Sequence, residues 1–290
     1  MSKSLIIGAA LGYDYNQLKP WVESIDDTGF DGDKVLIIGN TNSYTIESLT
    51  ERGFILIDIG DTPKTAPIHV LRFLYIYDFL KKNYLDYDYV ITTDVKDVYF
   101  QQNPFEFLVQ TTMDSNLGYP KLVVGSESIR YKDEAWGNEN LHQTFGEYIY
   151  NDFKDNVIYN VGVIGGTSEY VKDLCLHLYL GSINRPIPIV DQAVFNVLMA
   201  TEPYRSNVYF AAQSDSWACH AGTTVDPSKI NEFRPNLTEA EPHFKNGIVY
   251  TCDWKPFYIV HQYDRVPEWK QHVMDKYDQQ DTTKYFIYRT

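Results

Sequence analysis

The chain has 290 residues, 44% of them hydrophobic and 15% aromatic, enough apolar material for one large core, which excludes disorder as a description of the whole. A formal net charge of -14 sets the overall field against a nucleic-acid backbone or an anionic membrane surface, so neither is expected as a partner. Cys175, Cys219 and Cys252 are far apart and odd in number, unlike a disulfide framework, no run approaches the roughly 18 apolar residues of a membrane span, and residues 1–10 do not read as a signal peptide; the expected location is cytoplasmic.

Residues 5–10 form a continuous apolar run closed by Gly12, the pattern of a strand buried on both faces. The spacing of Leu18, Trp21, Val22 and Ile25 predicts a helix over 16–25, with Pro20 in its first turn. A second strand (34–39), a short helix (43–52) ended by Gly53 and a third strand (54–59) follow. This alternation predicts right-handed crossovers and an α/β fold with a mostly parallel, Rossmann-like sheet flanked by helices. Residues 67–83 are apolar nearly all round, as a helix buried against the sheet would be. Further strands are expected at 89–92, 122–125, 159–165, 208–211, 248–251 and 257–261, and helices at 168–180, 190–201 and 267–277. Residues 126–155 read as an irregular functional loop or lid, and 213–247 as surface decoration.

The sharpest motif is YVITTDVKDV at 89–98, an apolar strand that runs into Asp94 and Asp97. Ligands of open α/β sheets bind beyond the carboxyl ends of the strands. Two hard oxygen donors there suit Mg²⁺ or Mn²⁺ on a diphosphate; the alternative is a capped turn in which Asp94 bonds backbone N–H groups and Lys96 pairs with Asp97. Downstream, YNVGVIGG at 159–166 sets Asn160 and Gly162 inside an apolar strand, a mark of close approach by a ligand or another backbone. The segment VDQAVFN at 190–196 opens a helix with Asp191 and Gln192, which either cap it or bond sugar hydroxyls. Last, FYIVHQY at 257–263 contains His261 at a strand end, a competent third metal ligand.

In this order the four segments resemble glycosyltransferases of the GT-A fold, closest to the retaining glycogenin and lipopolysaccharide-galactosyltransferase type. The resemblance is one of pattern and order and runs from about residue 4 to 265. It implies a metal-dependent enzyme that moves a sugar from a nucleotide-diphosphate donor to a hydroxyl acceptor such as a glycan, with Mn²⁺ expected over Mg²⁺ and retention over inversion. One domain over 1–290 is implied, with a nucleotide-sugar half (about 1–125), a smaller mixed acceptor side (about 126–265) and a C-terminal helix and tail (266–290). Asp94, Asp97 and His261 would hold the metal; Ala9, Tyr13, Arg72, Thr93 and Gly162 would join the two Asp residues around the donor, Tyr13 stacking on the base. Asn160, Asp191 and Gln192 would face the reacting sugar, and Asp191 would serve as the base if the outcome were inverting.

The acceptor wall is expected at 136–150 and 215–220, with Trp217 stacking on a sugar and His220 either a second polar contact or a satisfied side chain at the surface. The acidic motif departs from the family in being D-x-x-D instead of D-x-D, so a one-residue bulge is needed or metal is held mainly by Asp97 and His261. Competing readings are a noncatalytic carbohydrate-binding protein, supported by that departure, and a sugar-nucleotide nucleotidyltransferase, opposed by the acidic, aromatic loop 11–15. A phosphatase with an Asp nucleophile would need a second acid where Lys96 stands.

Overall fold

The computed structural model describes residues 3–61 and 67–278. The N-terminal apolar runs form β1 (Ser4–Leu11), β2 (Asp33–Gly39) and β3 (Phe54–Asp58), joined by α1 (Tyr15–Asp27) and α2 (Ser43–Glu51). Next come α3 (Ile68–Asn83), β4 (Tyr89–Thr93), β5 (Val98–Phe100), α4 (Pro104–Thr112), β6 (Leu122–Arg130), α5 (Ala135–Phe153) and β7 (Val157–Thr167). The C-terminal part holds α6 (Ser168–Ser182), α7 (Asp191–Met199), β8 (Val208–Ala211), β9 (Ala218–His220), α8 (Ala221–Thr224) and α9 (Ile230–Phe233). It ends with the hairpin β10 (His243–Lys245) and β11 (Ile248–Tyr250), then β12 (Ile259–His261) and α10 (Pro267–Asp278).

Seven strands make the main sheet in the order β3-β2-β1-β4-β7-β6-β8, and β7 alone runs against the rest. The chain is therefore α/β with a mostly parallel central sheet. From β1 the order steps through β2 to β3 on one side and resumes with β4 on the other. That reversal, between β1 and β4, is where crossovers leave a crevice at the carboxyl ends of the strands.

Because successive side chains of a strand face opposite ways, each apolar run feeds two cores. Ile6, Leu36, Ile38 and Ile91 meet Leu18, Trp21, Val22 and Ile25 of α1 and Leu108 of α4. Leu5, Ile7, Val35, Ile37 and Val90 meet Phe73, Ile76 and Leu80 of α3 and the apolar faces of α6 and α7. A second, mixed sheet, β5-β12-β9, carries its own core, with Val260, Phe257, Trp269 and Val273. Its strand β5 follows the acidic motif directly, and β12 and β9 join it from the C-terminal part of the chain.

Several expectations need correction. Residues 126–155 are not an irregular lid: β6 continues to Arg130 and α5 fills most of the remainder, broken at Gly146 (φ 76°), where a left-handed backbone suits a residue without Cβ. The polar and aromatic surface of α5 masks its helical periodicity. Pro20 lies beyond the first turn, because a capping box between Asp14 and Gln17 starts α1 at Tyr15. Residues 213–247 are more than decoration, for β9 and α8 pack against the site. Among the described residues no helix is long and apolar enough to cross a membrane and no disulfide forms. The expected tail beyond α10, 279–290, lies outside the described residues.

Candidate functional site

Strand β4 ends at Thr93, whose hydroxyl accepts a 2.8 Å hydrogen bond from Nε1 of the buried Trp21. The ladder with β7 then runs one step further, the Asp94 amide donating to the Gly162 carbonyl at 2.8 Å. Val95 turns inward and is buried among the residues of the first core, while Lys96 is exposed. This in-out bend is how a D-x-x-D spacing presents both carboxylates to one cavity without a bulge. The far side comes from the second sheet, where β12 ends in His261 and the next amide, of Gln262, donates to the Asp97 carbonyl at 2.7 Å. Ligand atoms of Asp94, Asp97 and His261 all lie within 4.8 Å of one another. His261 Nε2 is 3.5 Å from Asp94 Oδ2 and 3.7 Å from Asp97 Oδ1.

Two carboxylates and one imidazole are a donor set that fits a small divalent cation. Gly162 makes the convergence possible. A Cβ there would sit 2.5 Å from His261 Cε1, 2.8 Å from Asn160 Oδ1 and 2.9 Å from Asp94 Oδ2. Gly162→Ala is therefore expected to weaken Mn²⁺ binding by about tenfold or more, the scale on which disturbed ligand support is felt, with a titration of the ion as the check.

Arg72 of α3 reaches in from the opposite core. Its guanidinium pairs with Asp94 and, at 3.1 Å, with Asp191 at the first turn of α7. Burial pulls the Arg72 pKa down, and the Asp191 and Asp97 charges pull it back. A third carboxylate, missed in the sequence, organises the other wall: Glu127 of β6 accepts from Asn160 Nδ2 at 2.5 Å and from Gln192 Nε2 at 2.9 Å. Asn160 in turn accepts the Gly162 amide at 2.6 Å, and Thr223 of α8 bonds the Glu127 carbonyl at 2.7 Å. The signal was present, because GSE at 125–127 puts an acid just past an apolar run as TTD does at 92–94.

Burial raises the Glu127 pKa to about 7; the Asn160 and Gln192 amides oppose the shift and the Glu134 charge adds to it. The folded state thus holds an extra proton between the ordinary value of 4.5 and about 7, and stability falls as pH rises through that window. Relative to the parent, Glu127→Gln should gain on the order of 3 kcal/mol between about pH 4.5 and pH 7, read by chemical denaturation across that range. A gap that does not change with pH would contradict the sign.

The site opens into a cleft with two lobes. One, of about 640 Å³, is lined by Asn160, Gly162, Asp191, Gln192 and His261. The other, of about 370 Å³, is lined by Ala9, Tyr13 and Thr93 at the β1–β4 crevice. Arg72, Asp94, Asp97 and Arg265 border both. Asp94, Asp97, His261, Ala9, Tyr13, Arg72, Thr93, Gly162, Asn160, Asp191 and Gln192 all line this cleft.

Two acceptor-wall expectations fail. Trp217 is fully buried against Phe107 and over Gly165, out of reach of any ligand. Asp215 is engaged by the Tyr209 hydroxyl and the Ala212 amide. His220 is not at the surface: it is fully buried beside His261, and burial lowers the pKa of both rings. Trp136, 48% exposed, is the member of the 136–150 segment that borders the larger lobe. No family model matches the chain, and no curated protein matches it either.

Proposed function

We propose that the protein is a metal-dependent glycosyltransferase of the GT-A type, transferring a sugar from a nucleoside-diphosphate donor to a hydroxyl acceptor, with Mn²⁺ preferred over Mg²⁺ and a glycan as the acceptor. The observation that carries this reading is the meeting of Asp94, Asp97 and His261 in a cleft that Arg72, Asn160, Asp191 and Gln192 also line. Apart from Arg72, which comes from α3, these residues come from the four separated segments on which the resemblance rests. The D-x-x-D spacing, which favoured a noncatalytic relative, loses that force because both carboxylates reach the cluster.

A divalent cation, when bound, would neutralise the charge that grows on the departing diphosphate. The chain's own residues do the rest. The smaller lobe, with Tyr13 partly exposed at its wall, takes the nucleoside; Lys96 and Arg265 border the same lobe and offer cations to the phosphates. Asp191, held by Arg72, and the Asn160 and Gln192 amides, held by Glu127, present fixed acceptors and donors to sugar hydroxyls. The acceptor enters along Trp136 and Ile189, half-exposed apolar side chains at the rim of the larger lobe that suit the C–H face of a pyranose. Retention is the expected outcome, with Asp191 as general base in the inverting case.

A panel of sugar nucleotides assayed with and without Mn²⁺ tests the proposal. Metal-dependent hydrolysis or transfer with one donor is the expected result. No turnover with any donor, together with glycan binding that needs no donor, would replace it with the carbohydrate-binding reading.

A further inference from the structure

We propose that His220 is a positioning residue for His261: its Nδ1 accepts the Nδ1–H of His261 and thereby holds the tautomer whose Nε2 lone pair faces Asp94 and Asp97. The inference rests on the metal reading above and adds a residue that none of the four motifs contains.

The two rings meet Nδ1 to Nδ1 at 3.1 Å, with centroids 5.3 Å apart and planes at 90°. Two neutral imidazoles make such a bond only if one nitrogen carries the proton and the other does not. A metal ligand at Nε2 must keep its lone pair there, which sends the His261 proton to Nδ1 and makes His220 the acceptor. A hydrogen bond from a ligating histidine's other nitrogen to an outer partner is the general means of fixing the ring and its tautomer. Here the outer partner is a second imidazole instead of a carboxylate or a carbonyl.

The surroundings are shaped for this pair. Strands β9 and β12 run parallel with His220 and His261 in register, so the rings are neighbours by the pairing itself. Two glycines of the main sheet clear the space: a Cβ on Gly125 would lie 2.7 Å from His220 Nε2, as one on Gly162 would lie 2.5 Å from His261 Cε1. Glycine weakens a strand interior, so each is a cost accepted for close approach. His220 Nε2 is buried with no hydrogen-bond partner among the described residues. A side chain present only for packing would be apolar at such a place, because an unpartnered buried polar atom is unfavourable. What the imidazole supplies that leucine would not is the acceptor at Nδ1.

Three variants separate the roles, using Mn²⁺ alone as the probe and counting free ion by its EPR signal. His220→Asn keeps a polar atom at the Nδ1 place; His220→Gln moves it to the Nε2 place; His220→Leu removes it. Leu and Gln are expected to weaken Mn²⁺ binding by about 10–100-fold, and Asn to stay within about threefold of the parent. Metal-free melting curves show that each variant is folded, and should Leu fail to fold, the Asn–Gln contrast carries the test. Parent-like binding in Leu and Gln, or equal losses in all three, overturns the positioning role alone. Absence of Mn²⁺ binding by the parent overturns the metal reading and this inference with it.

Discussion

On the proposed function, a nucleoside diphosphate such as UDP or GDP is expected to raise the melting temperature of the parent protein only when Mn²⁺ is present, and Asp97→Asn is expected to abolish that rise. A ligand that binds only the folded state stabilises it by mass action, about 2.7 kcal/mol at a hundred times its Kd, so a loss is easily read. Asp97 lies 3.7 Å from His261 Nε2, and its carbonyl is pinned by the Gln262 amide. Replacing one carboxylate oxygen by an amide nitrogen keeps the shape and removes the charge and a hard donor. The melting temperature without metal should hold or rise, because one of the mutually repelling acids is gone. His261→Ala should lose the same shift, whereas an Asp97→Asn protein that keeps it would remove Asp97 from the ligand set.

The largest effect on stability is expected at Arg72. Its guanidinium is the cation shared by Asp94 and Asp191, and Asp191 is almost wholly buried. Arg72→Met keeps much of the apolar stem but strands the Asp191 carboxylate, and breaking such a pair from one side costs about 3–5 kcal/mol. Asp94 is more exposed, so water screens its share of the loss. The measurement is denaturant unfolding of the metal-free protein. Saturating Mn²⁺ should restore part of the stability by supplying positive charge next to Asp94. The double variant Arg72→Met/Asp191→Leu should be more stable than Arg72→Met alone. If it were not, the stranded carboxylate would not be the cause.

Much of this site was legible because each motif joins an unusual residue to an otherwise apolar strand or helix start. Asp94, Asn160, Gly162 and His261 stand out against the runs 89–93, 157–167 and 257–260, where neither a charged or amide side chain nor a residue without one has a packing reason to be. Arg72 stands out in the same way on a helix that is apolar nearly all round. Glu127 carries the same signal, but the polar segment that follows it blurs the end of the strand and the start of α5. Trp217 is ambiguous in the sequence for the opposite reason: tryptophan suits a sugar platform and a core equally, and only the packing of Phe107 and Gly165 against it decides.

The sequence by itself determined the alternation of strands and helices, the mostly parallel sheet and the strand end at which acids gather. Hydrophobic periodicity is local, and a strand buried on both faces must read as an unbroken apolar run. Tertiary structure alone decided that Asp97 and Asp94 turn to one side of a bend anchored by Val95, that Glu127 joins Asn160 to Gln192, and that His220 lies against His261. The Glu127 network joins residues 33 and 65 positions apart and the histidine pair residues 41 apart, and the local sequence carries no trace of either. They arise only when β6 pairs with β7 and α7 packs on that pair, and when β9 and β12 pair in the second sheet.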